Sequence, residues 1–67
     1  MNLVLCCAAL GFEIARASVA KRYVDVGICL NLLDCLHDNV KLTRSQNIFL
    51  SAVVTQYLNS DFFNCND

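Results

Sequence analysis

Cys35 and His37 form the closest cysteine–histidine pair in the sequence, and a thiol beside an imidazole is the minimal arrangement for nucleophilic catalysis. Either Cys35 or Cys29 would need His37 as its base, together with Asp34 or Asn39 to orient the ring. Residues two apart on a helix point in different directions, so Cys35 and His37 do not meet. We therefore expect no enzymatic activity. His37 is instead typical of a helix C-terminus, where a positive charge is favourable.

Metal and phosphate binding need ligands at workable spacing, which this sequence does not offer. There is no C-x-x-C motif, and the side chains of Cys6 and Cys7 diverge by about 100° on a helix. The only two glycines, Gly11 and Gly27, cannot form a phosphate-binding loop. We expect no metal and no cofactor.

The polar run from Thr43 to Asn47 raises the possibility of nucleic-acid binding. It would begin the second helix of a helix-turn-helix, and its residue types can contact base edges. The same residue types also cap and solubilise the start of any helix. The net charge is −1, and the five basic residues that could contact phosphates are scattered: Arg16, Lys21, Arg22, Lys41 and Arg44. A helix-turn-helix-like domain is therefore the alternative hypothesis, and nucleic acid is not the expected partner.

The cysteines indicate a reducing environment. Their number is five, which is odd, and their spacing is irregular, unlike the framework of a secreted disulfide-bonded domain. We expect reduced thiols and an intracellular protein, with Cys29 and Cys35 acting as small buried hydrophobic residues.

The apolar run at residues 3–12 precedes Ala15-Arg16-Ala17, which together outline a signal peptide. No basic residue precedes the run, and Glu13 interrupts the approach to the cleavage site, so we expect no cleavage. The run is shorter than the ~20 residues of a transmembrane helix, so we expect no membrane span. It also lacks the basic face of a helix that lies on a membrane surface.

The periodicity predicts an all-α fold, a small three-helix bundle in one domain spanning residues 1–67. The predicted helices cover residues 2–22, 26–37 and 44–58, followed by a tail at 59–67. Thr43 and Gln46 form a capping box that begins the third helix. Asn39 can adopt the left-handed conformation that ends the second helix, and Asp25 is the predicted N-cap of that helix.

Two alternatives remain open for these elements. Residues 24–30 alternate in polarity and could form a strand, and Gly11 could divide the first helix into two. The first helix has Glu13 and Arg16 spaced for an ion pair and carries two apolar stripes. One stripe is Leu5, Ala8, Phe12, Ala15, Val19 and Tyr23; the other is Leu3, Cys7, Leu10, Ile14 and Ala17.

The segment 26–36 is apolar over roughly 240° of a helical wheel, so it must be covered on more than one side. We expect the chain to be organised around it, with a core that contains Leu30, Leu33, Val53 and Tyr57.

Apolar residues make up 57% of the chain, against ~45–50% in ordinary soluble domains, and a chain this small has a thin core. We therefore hypothesise a non-enzymatic protein–protein interaction module. It would form a homodimer or dock as a small subunit in a larger assembly. The residues predicted to contact the partner are Leu3, Leu10, Ile14, Phe62 and Phe63.

Overall fold

A computed structural model describes residues 2–60, and it confirms the predicted all-α, three-helix fold. The helices are α1 (Leu3–Val19), α2 (Tyr23–His37) and α3 (Arg44–Leu58). The predicted bounds of α3 agree with the structure, whereas α1 is shorter than predicted and α2 begins three residues earlier. The tail beyond residue 60 lies outside the described residues.

Both open alternatives are wrong. Segment 24–30 is helical throughout, and no strand occurs within residues 2–60. Gly11 lies inside the uninterrupted helix α1. The cost of a helical glycine, ~1 kcal/mol relative to alanine, is too small to break a helix that buries one face.

Side chains cap the N-termini of α1 and α3, but not that of α2. The Asn2 Oδ1 atom accepts hydrogen bonds from the backbone N–H groups of Val4 (2.7 Å) and Leu5 (3.2 Å). The capping box is confirmed: Thr43 N–H donates to Gln46 Oε1 at 2.8 Å, and Gln46 N–H donates to Thr43 Oγ1 at 3.2 Å. These bonds satisfy N–H groups that a helix start leaves unpaired.

The predicted N-cap of α2 is wrong. Arg22 occupies the N-cap position without a side-chain cap, and Asp25 lies in the first turn of the helix. There Asp25 accepts a hydrogen bond from the Arg22 Nη1 atom at 2.6 Å. The carboxylate therefore still lies near the positive end of the helix dipole, but it binds a guanidinium rather than a backbone amide.

Two residues with positive φ end the first two helices. Asn39 (φ 62°) ends α2 in the left-handed conformation, as predicted. Lys21 (φ 60°) has the same conformation after α1, where the sequence predicted no such residue. At each end, the next backbone N–H bonds to a carbonyl five residues earlier: Arg22 to Ala17 at 2.8 Å, and Val40 to Cys35 at 2.9 Å. These are Schellman motifs, which usually place glycine at the left-handed position.

The central element is α1 and not α2, contrary to the prediction. Helix α1 packs against both other helices, whereas α2 and α3 contact each other much less. Because of this arrangement Leu30 is 52% exposed, so its predicted core position is wrong. Val53 is buried, and Leu33 and Tyr57 are partly buried against the core. The buried hydrophobic residues are Cys6, Ala9, Leu10, Ala17, Cys29, Leu32, Leu50, Val53 and Val54.

Candidate functional site

A carboxylate lies among the core-facing residues of α1. Glu13 is only 6% exposed, yet it sits on the same side of α1 as Leu10 and Ala17. Its Oε1 atom accepts a hydrogen bond from Arg16 Nη1 at 3.2 Å, and its Oε2 atom accepts one from Arg22 Nη1 at 3.3 Å. The predicted pair with Arg16 is thus confirmed. Arg22, from the turn before α2, is an additional partner that helical spacing alone could not indicate.

Glu13, Arg16, Arg22 and Asp25 form a charge cluster that contacts all three helices. Arg22 joins α1 to α2 through Glu13 and Asp25, and these two hydrogen bonds, the stronger one to Asp25, raise the pKa of Arg22 above its ordinary value. Arg16 joins α1 to α3, because its Nη1 atom also donates to Gln56 Oε1 at 3.2 Å. The cluster therefore links α1 to both of its neighbours through hydrogen bonds.

An aromatic contact between α1 and α3 lies beside the charge cluster. The rings of Phe12 and Tyr57 meet edge to face with centroids 5.5 Å apart, and the Arg16 guanidinium lies 5.8 Å from the Phe12 ring centre. Such contacts contribute about 0.5–1.5 kcal/mol each beyond the area they bury.

The cleft beside the charge cluster has a volume of about 440 Å³. Two guanidinium groups and two carboxylates line it, so their formal charges cancel. Both carboxylates already accept hydrogen bonds from these arginines. The arrangement is that of a structural ion-pair network rather than of a site for a charged ligand.

The packing of α1 against α2 and α3 leaves an uncharged face of α1 exposed to the solvent. This outer face of α1 consists of Val4, Cys7, Ala8, Gly11, Ala15, Ser18 and Val19, all of them exposed. They cover an arc of about 120° at 100° per residue and extend from the first turn to the last. None of them is Asp, Glu, Lys, Arg or His, since the only two charged residues of α1 belong to the charge cluster.

Charged residues make up 16% of the chain, and neither of the two on α1 lies on its outer face. Single exposed apolar residues need no explanation, but a whole helix face without charge is a candidate contact surface. Val4 and Val19 at its two ends are 76% and 86% exposed, which makes them the most exposed large hydrophobic residues of α1.

The residues predicted for the partner contact lie in different places. Leu3 is 54% exposed next to the outer face of α1. Leu10 is fully buried, so the prediction that it is available for a partner is wrong. Ile14 is partly buried against the core, and its contact with a partner stays a prediction. Phe62 and Phe63 lie outside the described residues.

The sequence contained a signal for the outer face of α1 that the prediction missed. Val4, Ala8, Gly11 and Ala15 recur at spacings of four and three, which places them on one side of a helix. The prediction took the partner-contact residues of α1, Leu3, Leu10 and Ile14, from one apolar stripe, and not from the stripe that contains Ala8 and Ala15. Side-chain size does not decide burial on α1, since Ala9 and Ala17 are fully buried whereas Val19 is 86% exposed.

The cysteines and His37 are distributed over separate environments. The His37 side chain is 88% exposed, with Nδ1 at 3.2 Å from Asp38 Oδ1, whereas the Cys35 sulfur accepts from Gln46 Nε2 at 4.0 Å. The pKa values of Cys6 and Cys29 are raised, chiefly by burial, and for Cys29 also by the nearby carboxylates of Glu13 and Asp25. Raised pKa values keep these two thiols protonated and unreactive at neutral pH.

Within residues 2–60, no three His, Cys, Asp or Glu side chains lie close enough together to hold a metal ion. The cysteines at positions 6, 7, 29 and 35 are free. Over the same range, no helix has both the length and the apolar character needed to cross a membrane.

The start of α3 offers little for base recognition. Gln46, which the helix-turn-helix hypothesis needs for base contacts, uses its Oε1 atom in the capping box and its Nε2 atom toward Cys35. The neighbouring basic residues Lys41 and Arg44 line an open groove of about 540 Å³. Strong binding to nucleic acid usually needs more phosphate contacts than these two cations can make.

In comparisons with known proteins, no family model matches the sequence, and neither a curated protein nor a solved structure matches it.

Proposed function

We propose that this protein is a non-enzymatic protein–protein interaction module that binds its partner through the outer face of α1. The observation that carries the proposal is the complete absence of charged side chains from this face, while both charges of α1 pair within the chain. The odd number of cysteines supports placing this interaction inside the cell.

The size of the face argues for one kind of partner. A helix of 17 residues is about 25 Å long and about 11 Å wide, so a flat contact covers roughly 280 Å². Pairing two copies covers this face on both, about 560 Å² in total, which is well below the ~1,200–2,000 Å² that a stable protein interface buries. Two copies paired through α1 alone would therefore associate weakly.

A partner with a groove would bind more tightly, because a groove covers the sides of a helix as well as its outer face. Small residues such as Ala8, Gly11 and Ala15 suit this mode, since they let a neighbouring backbone approach closely. The proposed partner is accordingly another protein with an uncharged apolar groove, and self-association through the same face is the weaker alternative.

The test compares charge insertion at two exposed places. Ala8→Glu and Ala15→Glu add carboxylates to the outer face of α1, and Ser51→Glu adds the same group to the exposed side of α3. All three variants should keep the helical circular dichroism and melting temperature of the wild type to within a few degrees.

The binding measurements are affinity capture from cell extract with identification of the bound proteins, and sedimentation velocity from micromolar to millimolar concentration. We expect the α1 variants to lose a protein that the wild type and Ser51→Glu both retain. Concentration-dependent sedimentation that only the α1 variants abolish would indicate self-association instead. If wild type and α1 variants retain the same proteins and all remain monomeric, the proposal is wrong.

A further inference from the structure

We draw no further inference here: the strongest candidate, the apolar groove between α2 and α3 lined by Ile28, Asn31, Ser45, Gln46 and Phe49, carries nothing because no observation in the structure shows what covers it.

Discussion

The Glu13 carboxylate and the Arg22 guanidinium lie nine residues apart in the sequence and are joined by a hydrogen bond of 3.3 Å. This bond connects the core side of α1 to the turn that begins α2. Because Glu13 also binds Arg16, a single buried carboxylate holds two cations from different parts of the chain. The Glu13 side chain therefore contributes to the contact between α1 and the start of α2.

Glu13→Gln should lower the free energy of unfolding by about 1–2 kcal/mol, because the neutral amide presents a donor where both oxygens now accept from arginines. Asp34→Asn removes the same charge from an exposed position of α2 and should change stability by less than ~0.5 kcal/mol. Urea denaturation followed by circular dichroism measures both. Equal stability of the two variants would show that the cluster does not hold the helices together.

Cys6 and Cys7 should differ sharply in reactivity although they are adjacent. Cys6 is 3% exposed and has a raised pKa owing to burial, whereas Cys7 lies on the outer face of α1. In a thiol-labelling time course of the native protein, Cys7→Ala should remove one rapidly reacting thiol. Cys6→Ala should leave the number of rapidly reacting thiols unchanged. The opposite pattern would mean that α1 is rotated differently from this structure.

Burial of the Cys29 thiol should make the protein less stable at alkaline pH. The folded-state pKa lies above the unfolded value of ~8.5, so above this pH the unfolded chain releases a proton that the folded chain retains. The stabilising contribution is thus complete below pH ~8.5 and is lost as the pH rises through the folded pKa. Melting temperatures from pH 7 to 10 should fall less steeply for Cys29→Ala than for wild type. Parallel curves would contradict this.

Gly11 and Gly27 allow a test of shape without a change of charge. A β-carbon added at either position meets no atom within 4 Å, so both sites accept a larger side chain in the isolated chain. Gly11→Leu should preserve the fold but prevent the close approach of a partner to α1. Gly27→Leu on α2 should preserve both the fold and the binding of the partner. Isothermal titration with the captured partner would compare them. Equal affinities of the two variants for the partner would show that α1 does not contact it.

The capping box predicts a local effect of threonine. Thr43→Ala should cost about 1 kcal/mol, because the Gln46 N–H group loses its acceptor at the start of α3. Thr55 is exposed in the interior of the same helix, and Thr55→Ala should be neutral or slightly stabilising because alanine favours helix. Thermal melts of the two variants provide the comparison, and a neutral Thr43→Ala would indicate that water replaces the cap.

Local signals predicted the elements of the fold well because each depends on residues near one another in the sequence. The capping box at Thr43 and Gln46 and the left-handed Asn39 are of this kind. The choice of which side of α1 faces the core is not of this kind, since it depends on packing against α2 and α3, which come later in the chain. Without that information, Leu10 could be assigned equally to the core or to the surface.

The two Schellman turns have a consequence for sequence choice. Lys21 and Asn39 hold φ values near 60°. Lys21 is strained there by roughly 1–2 kcal/mol relative to glycine, whereas asparagine tolerates this conformation better than most residues. Both glycines of the chain instead stand within helices, where alanine is preferred. The natural sequence is therefore not the most stable one for its own backbone, and exchanging glycine and non-glycine residues between these positions would yield a more heat-resistant bundle.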